Sequence, residues 1–264
     1  MVDLTMCDTC KCNITDDNQH FLTENGEHSV TDDGHRAVVV MKNLLHENNH
    51  QAEHNRLSLS QRQIMVVNLM SSPGSGKTRL LETSIELLKS RGLGIAVIEG
   101  DLETENDADR IRKHNVPVTQ ITTGMACHLD AHMIEKAIQD LTLDNIDILF
   151  IENVGNLVCP ASFDLGQHLN VVLLSVTEGD DKPSKYPVMF KSADNVIFTK
   201  TDLLAYFDDF SLIKARQAVT DLSQSSQIIE VSAKNGNGME NWINWLETSL
   251  ANCRTNNQQH HAHD

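Results

Sequence analysis

Short apolar runs recur along the chain from residue 64 onward, and each is followed by a polar or glycine-containing stretch. Runs of this length are typical of strands whose two faces are both buried, as in a parallel sheet. Between them, apolar residues recur at helical spacing, for example over residues 80–88 and 133–141. This alternation predicts an α/β fold in three layers, with helices on both faces of a mainly parallel sheet. The predicted strands are residues 64–70, 94–98, 118–121, 146–151, 171–176, 196–198 and 228–231.

The part of the chain before residue 64 has a different character. Residues 13–35 are acidic and polar without apolar periodicity, so we expect a linker or flexible arm there. Over residues 36–59 a weak helical pattern, interrupted by Asn and His, predicts a short helix. Residues 253–264 carry three histidines near their end and are predicted to form a polar tail, either native or an added tag.

The charge balance narrows the possible partners. The 264 residues include 21 Lys and Arg against 37 Asp and Glu, a formal net charge of −16. Nucleic-acid binding requires a basic surface that displaces counterions from phosphates, so we expect no nucleic-acid partner. No apolar run approaches the ~18 to 20 residues that cross a bilayer, and the first residues do not resemble a secretion signal. The sequence therefore predicts a cytoplasmic protein without membrane association.

Small residues surround a lysine directly after the first predicted strand, in the order Ser71-Ser72-Pro73-Gly74-Ser75-Gly76-Lys77-Thr78. Such a loop before a helix is typical of phosphate binding, because its backbone N–H groups can surround phosphate oxygens. Lys77 would contact the outer phosphates as a catalytic residue, and the Thr78 hydroxyl would bind Mg²⁺. Ser71 stands where the first glycine of this motif is usual, and an ordinary glycine-rich turn is the alternative. The residues predicted to bind phosphate are Gly74, Ser75, Gly76, Lys77 and Thr78.

Two later strand ends indicate which base the nucleotide carries. Lys200 and Asp202 form a K-x-D pattern that resembles the guanine-reading motif of GTP-binding proteins, with Thr199 in place of its Asn. Asp202 could accept two N–H bonds from guanine, a contact that adenine cannot make. Alone, a K-x-D pattern is more often a solvated turn. The second half of the predicted base site is Ser232, Ala233 and Lys234.

Two acidic residues close predicted strands and are candidates for catalysis. Glu152 follows the strand at 146–151, and Asp101 follows the strand at 94–98 after three residues. Beside a phosphate loop, each could contact the Mg²⁺ shell or position the attacking water. The alternative for Glu152 is a carboxylate that faces solvent. With Lys77, these two residues complete the predicted catalytic set.

The cysteines are distributed unevenly and suggest metal binding rather than a disulfide framework. Cys7, Cys10 and Cys12 lie within six positions, so three thiolates could enclose one ion, with Ni²⁺ favoured if the site is planar. Cys127, beside His128, and Cys159, seven residues beyond Glu152, supply ligands suited to Ni²⁺ or Zn²⁺. A buried small apolar side chain is the alternative for Cys127 and for Cys159.

The combination of motifs resembles the hydrogenase nickel-incorporation GTPases, the HypB family of the P-loop proteins. The resemblance spans residues 64–250 and the first dozen residues. It rests on five segments in family order: Cys7-x-x-Cys10-x-Cys12 and residues 72–78, 124–130, 152–160 and 178–187. In members with a high-affinity N-terminal site the cysteines lie almost at the terminus, whereas Met1 precedes Cys7 by six positions. We hypothesise a translation start at Met6, which intact-mass measurement tests.

The resemblance implies a P-loop NTPase fold and a GTPase that uses Mg²⁺ and forms a GTP-dependent homodimer. It implies a metal site of the type Cys127, His128, Cys159 near the dimer interface, holding Ni²⁺ or Zn²⁺. It further implies insertion of nickel into the large-subunit precursor of a [NiFe]-hydrogenase, with a small nickel/zinc metallochaperone as partner. We expect slow turnover, because the sequence identifies no arginine finger.

Three alternatives stay open at this stage. They are a urease-type nickel GTPase, a nickel buffer in which the His-rich segments matter more than turnover, and a P-loop ATPase or kinase. The expected organisation is a metal-binding motif at 1–12, a His-containing linker at 13–62, the GTPase domain at 63–252 and a tail at 253–264.

Overall fold

The computed structural model describes residues 33–101, 106–124 and 126–261. Seven parallel strands form one sheet in the order β3-β2-β4-β1-β5-β6-β7. All seven strands predicted from the apolar runs are confirmed, and so is the α/β fold class. The strands are β1 Met65–Ser71, β2 Ile95–Asp101, β3 Val118–Thr122, β4 Ile148–Glu152, β5 Leu169–Ser175, β6 Asn195–Thr199 and β7 Gln227–Glu230.

Helices cover both faces of this sheet and connect successive strands. They are α1 Asp33–Gln61, α2 Lys77–Ser90, α3 Asn106–Arg112, α4 Ala131–Gln139, α5 Lys182–Lys185, α6 Pro187–Lys191, α7 Leu212–Leu222 and α8 Met239–His261. Three 3₁₀ turns, at Cys159–Ser162, Val176–Glu178 and Thr201–Tyr206, follow β4, β5 and β6 respectively. None of the described helices combines the length and the apolar character that a membrane span requires.

Alternate residues of the central strand β1 pack on opposite faces of the sheet. Val67 and Leu69 pack against α2 and α8, where Trp242 is fully buried. Val66 faces the opposite side and packs with residues of α1 and α4, including Leu59. Because β1 is buried along its whole length, the residues that follow it are held at the carboxyl edge of the sheet.

Helix α1 is longer than the short helix that the sequence predicts, since it spans 29 residues. It begins within the segment 13–35 that we expected to be a linker. Its buried face contains Asn48 and Asn55 beside Ala52 and Leu59. Because two of the four buried positions within residues 43–61 are polar, the apolar pattern is weak although the helix packs closely on α4.

Candidate nucleotide and metal site

The phosphate loop connects β1 to α2, and its backbone conformation suits a loop whose N–H groups surround a phosphate. Gly74 and Gly76 have φ of 76° and 97°, a left-handed region that favours glycine. Lys77 Nζ donates a hydrogen bond of 3.0 Å to Ser71 Oγ, and Ser75 Oγ also donates to it. Ser71, which departs from the usual motif, therefore holds the lysine amine over the loop.

Thr78 faces a carboxylate at the end of β4. Its hydroxyl donates to Glu152 Oε1 at 2.8 Å, and both side chains are buried. Glu99 lies beside Glu152 because the two residues are partners in the register of β2 and β4. Carboxylate oxygens of Glu99, Glu152 and Asp107 lie within 4.8 Å of one another. Asp101, at the partly exposed end of β2, is outside this group.

Burial perturbs the two buried carboxyl groups strongly. The pKa of Glu99 rises to about 11, because burial and then the charge of Glu152 disfavour its ionised form. Burial also raises the pKa of Glu152, against the opposing effects of Lys77 and Thr78. The Oε2 atoms of both are buried, and neither has a hydrogen-bond partner in the part of the chain that the structure describes. Two orphaned carboxylate oxygens beside a threonine hydroxyl fit the all-oxygen environment that Mg²⁺ prefers.

Glu99 is a site residue that the sequence analysis missed. The predicted strand ends at Ile98, so Glu99 reads as a polar strand end, and the sequence pattern indicates Asp101 instead. Its position directly after the second predicted strand could have indicated Glu99. Only the pairing of β2 with β4, however, shows that it lies opposite Glu152.

The predicted base-reading residues meet at the ends of β6 and β7. Ser232 Oγ donates to Asp202 Oδ1 at 2.6 Å and so orients the carboxylate. Lys200 adopts a left-handed φ of 57°, and its Nζ donates to the carbonyl of Gly74 at 2.7 Å. Thr199 Oγ1 donates to the carbonyl of Ser75 at 2.7 Å. Thr199, the departure from the guanine motif, thus ties the end of β6 to the phosphate loop. Ala233 and Lys234 follow Ser232 in the loop after β7.

The three predicted internal metal ligands come together. Cys127 Sγ lies 2.8 Å from Cys159 Sγ and 3.7 Å from His128 Nδ1. The His128 ring stacks on Phe163, with ring centroids 3.9 Å apart. Burial lowers the pKa of His128 to about 4, so its imidazole is neutral near pH 7. A neutral imidazole beside two sulfurs is a donor set for a late first-row cation.

Two hydrogen bonds of Asn156 connect the segments that carry these ligands. Asn156 Nδ2 donates to the carbonyl of Cys127 at 3.2 Å, while its Oδ1 accepts from the N–H of Val158 at 2.8 Å. Asn156 therefore contacts the segment of one cysteine and the turn before the other, Cys159. Sequence reasoning missed this residue, because an asparagine in a glycine-containing loop is an ordinary turn residue.

The eight residues from Glu152 to Cys159 connect the carboxyl cluster beside the phosphate loop to the Cys127, His128 and Cys159 cluster. Midway, Gly155 lies against the phosphate loop, and a Cβ atom added there would be 3.0 Å from the backbone of Pro73. The next residue is Asn156, which contacts Cys127. The segment thus contacts both sites within two consecutive residues.

The remaining predicted ligands, Cys7, Cys10 and Cys12, lie outside the described residues. The predicted tail begins within α8, which continues to His261.

Comparison with known proteins identifies relatives over most of the chain. A family profile described as CobW/HypB/UreG, nucleotide-binding domain, matches residues 65–230. Hydrogenase maturation factor HypB of Escherichia coli (strain K12) is 51% identical over 213 residues, 81% of this chain and 73% of that protein. Hydrogenase/urease maturation factor HypB of Helicobacter hepaticus is 43% identical over 230 residues, 86% of this chain and 92% of that protein.

Solved structures give the same result. The crystal structure of HypB from Helicobacter pylori in complex with nickel superimposes with a TM-score of 0.74 and is 42% identical, covering 78% of this chain and 96% of that one. HypB from Archaeoglobus fulgidus has a TM-score of 0.73 and 39% identity, covering 78% of this chain and 100% of that one. Together with the phosphate loop and the Cys–His–Cys cluster, these likenesses show that the chain belongs to the CobW/HypB/UreG nucleotide-binding family and, within it, to the HypB hydrogenase maturation factors.

Proposed function

We propose that this protein hydrolyses GTP to control the release of nickel, which it delivers to the large-subunit precursor of a [NiFe]-hydrogenase in the cytoplasm. The observation that carries the proposal is the segment from Glu152 to Cys159, since Glu152 bonds the P-loop residue Thr78 and Cys159 lies 2.8 Å from Cys127. A change at the terminal phosphate can therefore alter the metal ligands over a short path.

Guanine specificity is supported by the geometry around Asp202. Its carboxylate is fixed by Ser232 and remains able to accept from the two N–H groups of a guanine edge. The stem of Lys200 crosses the phosphate loop, so the base would lie between the two strand ends. ATP lacks the donor pair that Asp202 would bind, and GTP is the expected substrate.

Slow turnover follows from the arginines near α2. Arg79 and Arg110 both donate to Glu82, a buried residue of α2, so their guanidinium groups are engaged by this carboxylate. An arginine that contacts the transferred phosphate adds about 10³ to 10⁵ in rate, and neither side chain is placed to give that gain. Lys77 would bind the outer phosphates, with Glu152 and Thr78 positioned to hold Mg²⁺, which supplies charge neutralisation when bound.

Nickel is the cargo of the Cys127, His128 and Cys159 cluster in this proposal, and Zn²⁺ is its competitor. Three ligands leave a coordination position open, which a water or a second copy of the chain would fill. A GTP-dependent homodimer would supply such a second copy. The N-terminal Cys7, Cys10 and Cys12 would bind a further ion, received from a small nickel/zinc metallochaperone.

The proposal is tested by nickel affinity in defined nucleotide states. A Cys7→Ser, Cys10→Ser, Cys12→Ser variant isolates the internal site, and competition titration compares GDP with a non-hydrolysable GTP analogue. We expect at least a tenfold difference, about 1.4 kcal/mol of coupling. The variant Asn156→Ala should keep GTP affinity and lose most of this difference. Equal nickel affinity in both nucleotide states would contradict the proposal.

Two other functions make different predictions for the same protein. A urease precursor as the acceptor is favoured by the name of the Helicobacter hepaticus relative, which mentions both enzymes. Transfer assays with the two apo-enzymes decide between the acceptors. A metal store would bind several nickel ions per chain even in a Lys77→Ala variant, and GTP would not change the nickel affinity of the parent protein.

A further inference from the structure

Helix α1 contacts both segments that carry the internal metal ligands, through two buried asparagines. Asn48 Oδ1 accepts from the N–H of Ala131 at 2.9 Å, and its Nδ2 donates to the carbonyl of Asp164 at 2.8 Å. Asn55 Nδ2 donates to the carbonyl of Ala131 at 2.7 Å and to that of Leu165 at 3.3 Å. Each asparagine thus bonds one segment on either side.

These contacts lie close to the ligands along the chain. Ala131 is three residues beyond His128, and both of its backbone polar groups bond to α1. Asp164 directly follows Phe163, the ring on which His128 stacks, and lies five residues beyond Cys159. A displacement of α1 would therefore be transmitted to both sides of the ligand set.

The loop around residue 166 is shaped to the helix. Gly166 has φ of 88°, and an added Cβ would be 2.6 Å from the carbonyl oxygen of Ala52 and 2.7 Å from Asn55 Cβ. Arg56 donates to both carboxylate oxygens of Asp164, at 2.7 and 2.6 Å, and to the carbonyl of Gln167 at 3.2 Å. Few other arrangements of helix and loop would satisfy these bonds at once.

Burying asparagine in this interface is costly unless it has a specific use. A leucine would bury a helix face at less desolvation cost, but it could not fix the position of backbone N–H and carbonyl groups. The side chains of Asn48 and Asn55 form hydrogen bonds with neighbouring segments. Within α1, Gln51 Nε2 donates a hydrogen bond to Asn55 Oδ1. Their hydrogen bonds therefore set the relative position of the two ligand segments.

We propose that Asn48 and Asn55 are positioning residues for the metal site, so that docking of α1 and occupancy of Cys127, His128 and Cys159 are thermodynamically linked. Metal binding stabilises the docked helix, and undocking of the helix separates the two ligand segments and weakens the site. By linkage the two effects are equal in free energy. The linkage concerns any late first-row cation; only its use for nickel delivery rests on the proposed function.

The test uses the full chain with Cys7, Cys10 and Cys12 changed to Ser, loaded with Ni²⁺ or Zn²⁺ and without nucleotide. In this background we compare Asn55→Leu with Asn49→Ala, which changes an exposed residue of the same helix. Asn55→Leu keeps a side chain of similar size in the interface and removes the hydrogen bonds to the carbonyls of Ala131 and Leu165. We expect it to lose at least tenfold in affinity for both metals, while Asn49→Ala keeps the parental affinity and GTP binding is the same in all three proteins.

A second readout separates positioning from general stability. Hydrogen exchange of the α1 amides should slow when metal is added to the parent and to Asn49→Ala, and should not change in Asn55→Leu. A folded Asn55→Leu protein with parental metal affinity would overturn the proposal, as would α1 exchange that ignores metal in the parent. If the parent binds Zn²⁺ but not Ni²⁺, the proposed delivery function fails while the linkage is still measured with zinc. If the parent binds neither ion, both fail.

Discussion

Replacing Gly155 by alanine disturbs the point at which the segment from Glu152 to Cys159 contacts the phosphate loop. The new Cβ would lie 3.0 Å from both Cα and N of Pro73 and 3.1 Å from its Cγ. Unstrained carbon atoms pack at about 3.5 to 4.0 Å, so one backbone must move by about half an ångström. Overpacking of this kind costs about 1 to 3 kcal/mol.

The cost is shared between the two sites because the segment contacts both. If the phosphate loop moves, its N–H groups lose their geometry and GTP affinity falls. If the segment moves instead, Asn156 withdraws from the Cys127 carbonyl and nickel affinity falls. We expect the summed losses in the two affinities to correspond to about 1 to 3 kcal/mol, a factor of roughly 5 to 150.

Fluorescent GTP-analogue binding and nickel competition titration measure the two losses separately. The matched control is Val158→Ala, which shortens an exposed side chain of the same segment and should change neither affinity. A Gly155→Ala protein with parental affinity for both ligands would refute the reasoning, since the contact would then be relieved without consequence for either site.

Three further changes test other contacts. Asp202→Asn should weaken GTP binding by about 1.5 to 3 kcal/mol, which is the contribution of hydrogen bonds to a charged group, and should leave ATP binding weak. Calorimetry measures both affinities, and an unchanged GTP affinity would contradict the guanine contact. Gly166→Ala should lower the free energy of unfolding, measured by urea titration, by about 2 kcal/mol or more. The new Cβ would collide with the backbone of Ala52, and residue 166 has a left-handed φ that disfavours alanine. A variant as stable as the parent would mean that α1 does not pack on this loop as described. His168 has its pKa lowered to about 4, mainly by burial, so the unfolded chain takes up its proton first as pH falls from about 6.5. His168 should therefore contribute a loss of stability of up to roughly 3 kcal/mol from pH 6.5 towards 4, and the profile of His168→Gln should be less steep than that of the parent by this amount. An identical pH profile in the variant would contradict this contribution.

The strands and the phosphate loop could be predicted because their signals are local. Each strand is buried on both faces, so its apolar run is visible in the sequence without knowledge of its neighbours. Lys77 and Thr78 follow the first run at a fixed distance that phosphate binding demands. The order of the strands was not predicted, because it depends on which distant runs pair.

The residues that the sequence did not reveal act through such distant pairing. Glu99 becomes a partner of Glu152 only when β2 and β4 are adjacent. Asn48 and Asn55 look like solvent-facing residues of a weak helix, because polar side chains on a buried face erase the apolar periodicity. Thr199 reads as a defect in a guanine motif until its bond to Ser75 is seen.

The most direct test of the account follows both sites during one turnover. Protein carrying Ni²⁺ at the internal site, with Cys7, Cys10 and Cys12 changed to Ser, is mixed with GTP and Mg²⁺ in a single-turnover experiment. Sulfur-to-nickel charge-transfer absorbance reports the metal ligands, and a phosphate sensor reports hydrolysis. The account predicts that the absorbance changes with the rate constant of phosphate formation or release, and that Lys77→Ala abolishes both. A nickel spectrum that stays constant while phosphate is produced would contradict it.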